Sequence, residues 1–165
     1  MSLGLIITGA LCLFLFIIIL VAARNSKRKK QNTFLNPLNS LAEGANCKIS
    51  QYDIWNDSVI GIDNTRNFVF AIRKTIDNET SVTINLAEVF RCRIAEVSRT
   101  TGPKEGNFIA FDRIDLVFMC KDKSKADIVV EFYNANTDRL TLTGELQLAQ
   151  KWCMLINNIT AALSK

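Results

Sequence analysis

Apolar and polar positions change rhythm three times along this chain, and each rhythm predicts a different element. From Leu3 to Ala23 there are 21 residues without a charge. As a helix this run is about 31 Å long, the thickness of a bilayer's hydrocarbon core. From Lys48 to Tyr133 short runs alternate between apolar and polar residues and are cut by turn-forming clusters, the signature of half-buried antiparallel strands. The predicted strands are Lys48–Ile54, Ser58–Asp63, Asn67–Arg73, Ser81–Asn85, Phe90–Val97, Asn107–Cys120 (one long strand or two short ones) and Asp127–Tyr133. Trp55-Asn56-Asp57, Asn64-Thr65-Arg66, Asp77-Asn78-Glu79, Thr101–Gly106 and Lys121–Ala126 supply the turns. Leu86–Val89 reads as a bend, and Asp112-Arg113 breaks the alternation of its strand, which predicts a bulge. Within Phe90–Val97, the residues Phe90, Cys92, Ile94 and Val97 are assigned to the inward face, against Arg91, Arg93 and Glu96. Whether Arg139–Thr143 adds a strand is left open.

From Gly144 the period lengthens. Leu148, Ala149, Trp152, Leu155, Ile156, Ile159, Ala162 and Leu163 recur at three and four residues, one apolar stripe on a terminal amphipathic helix. Thr143 or Thr141 is the expected N-cap, with Glu145 placed favourably in the first turn. Gln31–Ala45 is rich in Asn, contains Pro37 and Gly44, and reads as a linker with one helical turn near Asn39–Glu43. The division is thus 1–30 membrane segment and flank, 31–45 linker, and 46–165 β-domain with its closing helix.

Charge sharpens the reading of the first segment. Arg24, Lys27, Arg28, Lys29 and Lys30 follow the apolar run directly, while every acidic residue lies beyond them. The rest of the chain has fifteen cations against sixteen acids, net −1. A neutral domain argues against nucleic acid as partner, and the positive excess belongs to the tether. A secretory signal would carry a charged leading region and a shorter apolar core. Dense positive charge after the run resists translocation, so the segment reads as a retained single-pass anchor in the inner or plasma membrane. Its N-terminus is then outside and the domain cytoplasmic, with the five basic residues at the lipid surface. Val21-Ala22-Ala23 keeps cleavage and export open as the alternative.

The element order resembles the pleckstrin-homology-like (PH-like) fold: six or seven short antiparallel strands closed by a C-terminal helix with a central tryptophan, here Trp152. An N-terminal anchor ahead of such a domain is similar to the arrangement in small bacterial membrane proteins. The resemblance implies a bent sandwich or barrel, open at one corner that the helix plugs. It also implies protein or peptide binding along a strand edge and the helix. Lipid-binding members cluster cations in the first hairpin, whereas Gln51–Ser58 carries Asp53 and Asp57 and no cation, so that activity is not carried over.

Little else in the sequence points to chemistry. Histidine is absent, which removes the commonest general base and zinc ligand. Cys47, Cys92, Cys120 and Cys153 are widely spaced, show no CxxC and read as free thiols. Asp53, Asp57 and Asp63 sit at turns and follow no calcium-loop pattern. Asp112 and Asp115 read as a bulge with local ion pairing around Arg113. Lys121, Lys123 and Lys125 read as a solvated hairpin. Arg91, Arg93 and Arg99 are a weak candidate anion site that Glu88 and Glu96 would neutralise. Trp55 reads as a core residue at a strand end, with an exposed binding residue as the alternative. The function expected is a membrane-anchored, non-catalytic module that binds or scaffolds a protein, with no cofactor and no small-molecule substrate. Its candidate partner surface is Trp55 with Gln147 and Lys151 on the helix's polar face. The competing reading is an enzyme with Cys120, beside Lys121 and Lys123, as nucleophile.

Overall fold

The computed structural model describes residues 31–75, 78–101, 108–138 and 142–164. The expected anchor Leu3–Ala23, its flank Arg24, Lys27, Arg28, Lys29 and Lys30, and Cys12 lie outside the described residues, as do most of the Thr101–Gly106 loop and residues 139–141. Among the described residues no helix is long and apolar enough to cross a membrane.

Seven strands and two helices make up the described chain. The first helix, α1, covers residues 31–44. It is followed by β1 (Gln51–Trp55), β2 (Ser58–Asp63), β3 (Phe68–Lys74) and β4 (Glu79–Asn85). A 3-10 turn at Leu86–Glu88 leads to β5 (Val89–Thr101), β6 (Phe108–Cys120) and β7 (Ile128–Asn134), and α2 (Glu145–Leu163) closes the order. Strands β1-β2-β3-β4 form one antiparallel meander and β5-β6-β7 a second; neither sheet closes on itself. The 3-10 turn stands where the bend at Leu86–Val89 was expected, and Asn85 caps it by accepting from the Ala87 N–H at 3.0 Å.

The linker expectation is corrected. Residues 31–44 are helical, and from Leu38 onward they belong to the same compact unit as the strands, apart from residues up to Pro37. Asn and Pro content suggested a loop, but Leu38 and Ala42 are one helical turn apart and both are buried. The landing place is Gly61 of β2: a Cβ there would lie 2.9 Å from Leu38 Cδ2 and 3.2 Å from Ile49 Cγ2. Only a residue without a side chain lets Leu38 approach that closely. The helix ends at Asn46 in the left-handed region (φ 55°), with the Cys47 N–H returning to the Ala42 carbonyl at 2.8 Å.

The main core lies between the two sheets and α2. Ile60, Ile62, Val69, Ala71 and Ile84 enter it from the first sheet. Ile114, Leu116, Phe118 and Val130 come from the second, and Ala149, Trp152 and Ile156 from α2. The buried stripe of α2 is narrower than its apolar one: Ala162 and Leu163 are exposed, while Glu145 and Thr160 are buried. Its N-cap is Gly144 (φ 126°), which has no side-chain cap bond, and not Thr143. Glu145 reaches back instead and accepts from the Thr143 hydroxyl at 2.9 Å and from the Thr143 N–H. The Glu145 carboxylate also stands in the first turn, where the helix dipole favours a negative charge.

The second sheet has three register breaks. Phe90 is extra between the pairs Val89–Cys120 and Arg91–Met119; Asp112 is extra between Val97–Arg113 and Ser98–Phe111. Phe132 is extra between Ile114–Tyr133 and Asp115–Glu131. The bulge at Asp112 is the one the sequence predicts. Two inward assignments on β5 are corrected. Phe90 is rotated outward by its bulge, and Val97 falls on the outer face because alternation from Cys92 and Ile94 continues unshifted.

Candidate binding site

Edge strands carry unpaired backbone groups, so each edge of these two open sheets needs a cover or a partner. On β5, Asn157 of α2 supplies the cover. Its Oδ1 accepts from the Cys92 N–H at 2.8 Å and its Nδ2 donates to the Cys92 carbonyl at 2.9 Å. One side-chain amide thus imitates a neighbouring strand. On β7 the bulged Phe132 turns its carbonyl outward, and the Trp55 indole donates to it at 2.8 Å while stacking on its ring at 4.4 Å. β1 lies beside α2, tied by Asp53: its Oδ2 accepts from the Trp152 indole at 2.9 Å and pairs with Lys151 Nζ at 2.6 Å. Asn56, in the β1–β2 turn, donates to Glu145 at 3.0 Å.

Among the described residues β4 has no such cover. Among the described residues no backbone hydrogen bond leaves its outer margin, and Glu79, Thr80, Ser81 and Thr83 are exposed. Beside it runs an open groove of about 360 Å³ between β3–β4 and β7. Ala71, Ile72, Val82 and Val129 make its apolar walls, and Trp55 and Arg73 lie along it. Arg73 is held by Glu131 at 2.9 Å and by Asp138 at 3.0 Å, with Thr137 accepting at 3.2 Å. Its Nε is buried and has no acceptor among the described residues. Three of the guanidinium's neighbours therefore fix it across the gap between β3 and the turn after β7.

The predicted surface residues separate. Trp55 is 8% exposed, so its core reading holds and an exposed Trp55 is corrected; it meets the groove as part of its wall. Gln147 is exposed on α2, and Lys151, also exposed, is engaged by Asp53. The carboxylates are occupied with structure. Asp63 is buried at the end of β2 and accepts from the backbone N–H groups of Lys48, Thr65 and Arg66 at 2.8–3.0 Å. The Lys48 bond foremost holds its carboxyl below the usual range, outweighing burial. Asp112 pairs with Arg99 at 3.1 Å, and Asp115 with Arg113 at 2.7 Å. For Glu145, burial raises the pKa, but hydrogen bonds from its own N–H, Thr143 and Asn56 prevail and lower it.

The four described cysteines are free thiols. Burial, with Cys153 beside it, pushes the Cys92 thiol far up, which suits a core residue and not a nucleophile. Cys120 is half-buried, with its Sγ 3.4 Å from the Ala126 carbonyl. Glu88, expected to neutralise the arginines of β5, pairs instead with Lys125 at 2.8 Å.

Three residues important to this arrangement have little signal in the sequence. Asn157 reads as one more polar residue on a helix face. Arg73 reads as the polar end of a strand, and Phe90 as core. The chain matches no protein-family model, no curated protein and no solved structure.

Proposed function

We propose that the chain is a single-pass membrane-anchored, non-catalytic binding module. Its PH-like domain faces the cytoplasm and takes an extended protein or peptide segment along β4. The observation that carries this reading is the contrast among strand edges. Side chains cap β5 at Cys92 and β7 at Phe132, while among the described residues nothing caps β4 beside its apolar groove. Strand addition satisfies such an edge through main-chain bonds, and adjoining pockets select side chains. The order of four strands, three strands and a helix bearing the buried Trp152 supports the PH-like assignment. The apolar run Leu3–Ala23 and the basic residues after it support the anchor and its orientation. Anchoring confines the module near other membrane components and raises its effective concentration toward them.

A photo-crosslinking residue at Thr80 of the full chain, irradiated in native membranes, tests the site. One discrete protein adduct is expected, and it should disappear when Val82→Lys places a charge in the groove. An adduct pattern unchanged by Val82→Lys, or no adduct at all, removes β4 as the site.

A further inference from the structure

The end of the second sheet at the β6–β7 turn carries a further feature. The bulge at Phe90 leaves that ring 65% exposed, beside Met119 and the half-buried Cys120. The same shallow depression is bounded by Lys121, Lys123 and Lys125 of the β6–β7 turn. Arg91 and Arg93 stand opposite Met119 and Val117 on the same outer face. Three lysines therefore border the ring and two arginines share the outer face of the sheet, against three acids nearby, in a domain (46–165) whose fifteen cations and fifteen acids cancel.

Those acids offset part of the local cationic charge, Glu88 against Lys125 and the other two against the remaining four cations, and leave a positive excess. Glu88 pairs with Lys125 at 2.8 Å, Asp122 accepts from the Ser124 N–H and hydroxyl, and Asp127 accepts from the Cys120 N–H at 3.3 Å. Arg91, Arg93, Lys121 and Lys123 have neither an ion pair nor a side-chain hydrogen bond among the described residues. A protruding aromatic ringed by long cationic side chains is chemically matched to a lipid–water interface. The ring enters the acyl boundary while the cations stay at headgroup level.

We propose that the Phe90 bulge and the cations around it form a contact surface for anionic phospholipid, which orients the domain against the bilayer. The inference deepens the anchored reading, which puts a bilayer within reach of the domain. It does not use the β4 groove, and the cations lie far in sequence from the first hairpin.

The test uses the full chain reconstituted into vesicles of phosphatidylcholine alone or with one-third phosphatidylglycerol, with Cys120 as the native reporter. Alkylation by the uncharged N-ethylmaleimide is followed site by site by mass spectrometry. Cys120 should react at least about fivefold more slowly on the anionic vesicles. Raised salt, or Phe90→Ser with Lys121→Gln, should restore the faster rate. Equal rates on both vesicles, or protection that the double variant leaves intact, overturns the proposal. Flotation after carbonate extraction reads the anchor separately. A chain that stays with both vesicles yet shows equal Cys120 rates keeps the anchor and loses the patch. Flotation before extraction with anionic vesicles only, abolished by the double variant, keeps the patch and loses the anchor. A chain that floats with neither overturns both.

Discussion

Two phenylalanines occupy bulges of the same sheet and meet opposite fates. Phe132 on β7 is fully buried under Trp55, whose indole satisfies the carbonyl that the bulge turns away from the ladder. Phe90 on β5 stands in solvent with lysines for neighbours, and no aromatic ring is stacked on it among the described residues. A bulge re-aims a side chain and disrupts pairing locally. What decides whether that serves stability or display is the residue provided to receive it. Trp55 comes from the other sheet, so the Phe132 bulge joins the two sheets. Among the described residues no side chain from the other sheet receives Phe90, and its ring stays exposed.

Breaking the receiving residue should have the largest effect. Trp55→Ala removes the stacked ring and orphans the Phe132 carbonyl, and should destabilise the domain by about 3–5 kcal/mol. Thermal unfolding of the full chain in detergent, followed by circular dichroism, measures this; a loss below 1 kcal/mol would show that the seal on β7 is incidental. Arg73→Met comes next, at about 3 kcal/mol, because Asp138 loses its cation and Glu131 keeps only Arg113, at 3.4 Å. Adding Glu131→Gln and Asp138→Asn should recover most of that, and failure to recover would place the loss in packing instead. Asn157→Leu should cost about 1–3 kcal/mol and leave the Cys92 N–H bare, with its carbonyl kept only by the Cys153 thiol at 3.4 Å. Light scattering should then show self-association through β5, and a variant that stays monodisperse would show the edge to be protected by some other means. Phe90→Ser should change stability by less than about 0.5 kcal/mol, since an exposed residue without a partner holds nothing in place. A larger loss would make the two bulges alike and end the contrast.

Much of the fold was legible because it follows from periodicity. Period-two runs located all seven strands, and the change of period at Gly144 located α2. Asp112 announced its bulge because a charged pair interrupts an apolar alternation. The bulges at Phe90 and Phe132 gave no such notice, since in both cases an apolar residue replaces an apolar residue and the pattern reads on unbroken. The helix over 31–44 was hidden for a different reason. Its composition is that of a loop, and its buried face consists of a few residues whose complement, Gly61, is a residue with no side chain to read. The candidate site was the least legible part. Arg73 and Asn157 act across 58 to 65 residues of sequence toward backbone groups or the far turn, and no spacing rule encodes that.

The two caps also differ in when they become available. Trp55 precedes the Phe132 carbonyl by 77 residues, so during synthesis the indole is already in place when β7 emerges. Asn157 follows Cys92 by 65 residues. At roughly 5–20 residues per second, β5 emerges about 3–13 s before the amide that covers its edge. For those seconds the nascent chain presents a strand that a neighbouring nascent chain can pair with, and slower translation after β7 lengthens the exposure. The domain thus has one edge guarded from the outset and another whose safety depends on the pace of the ribosome.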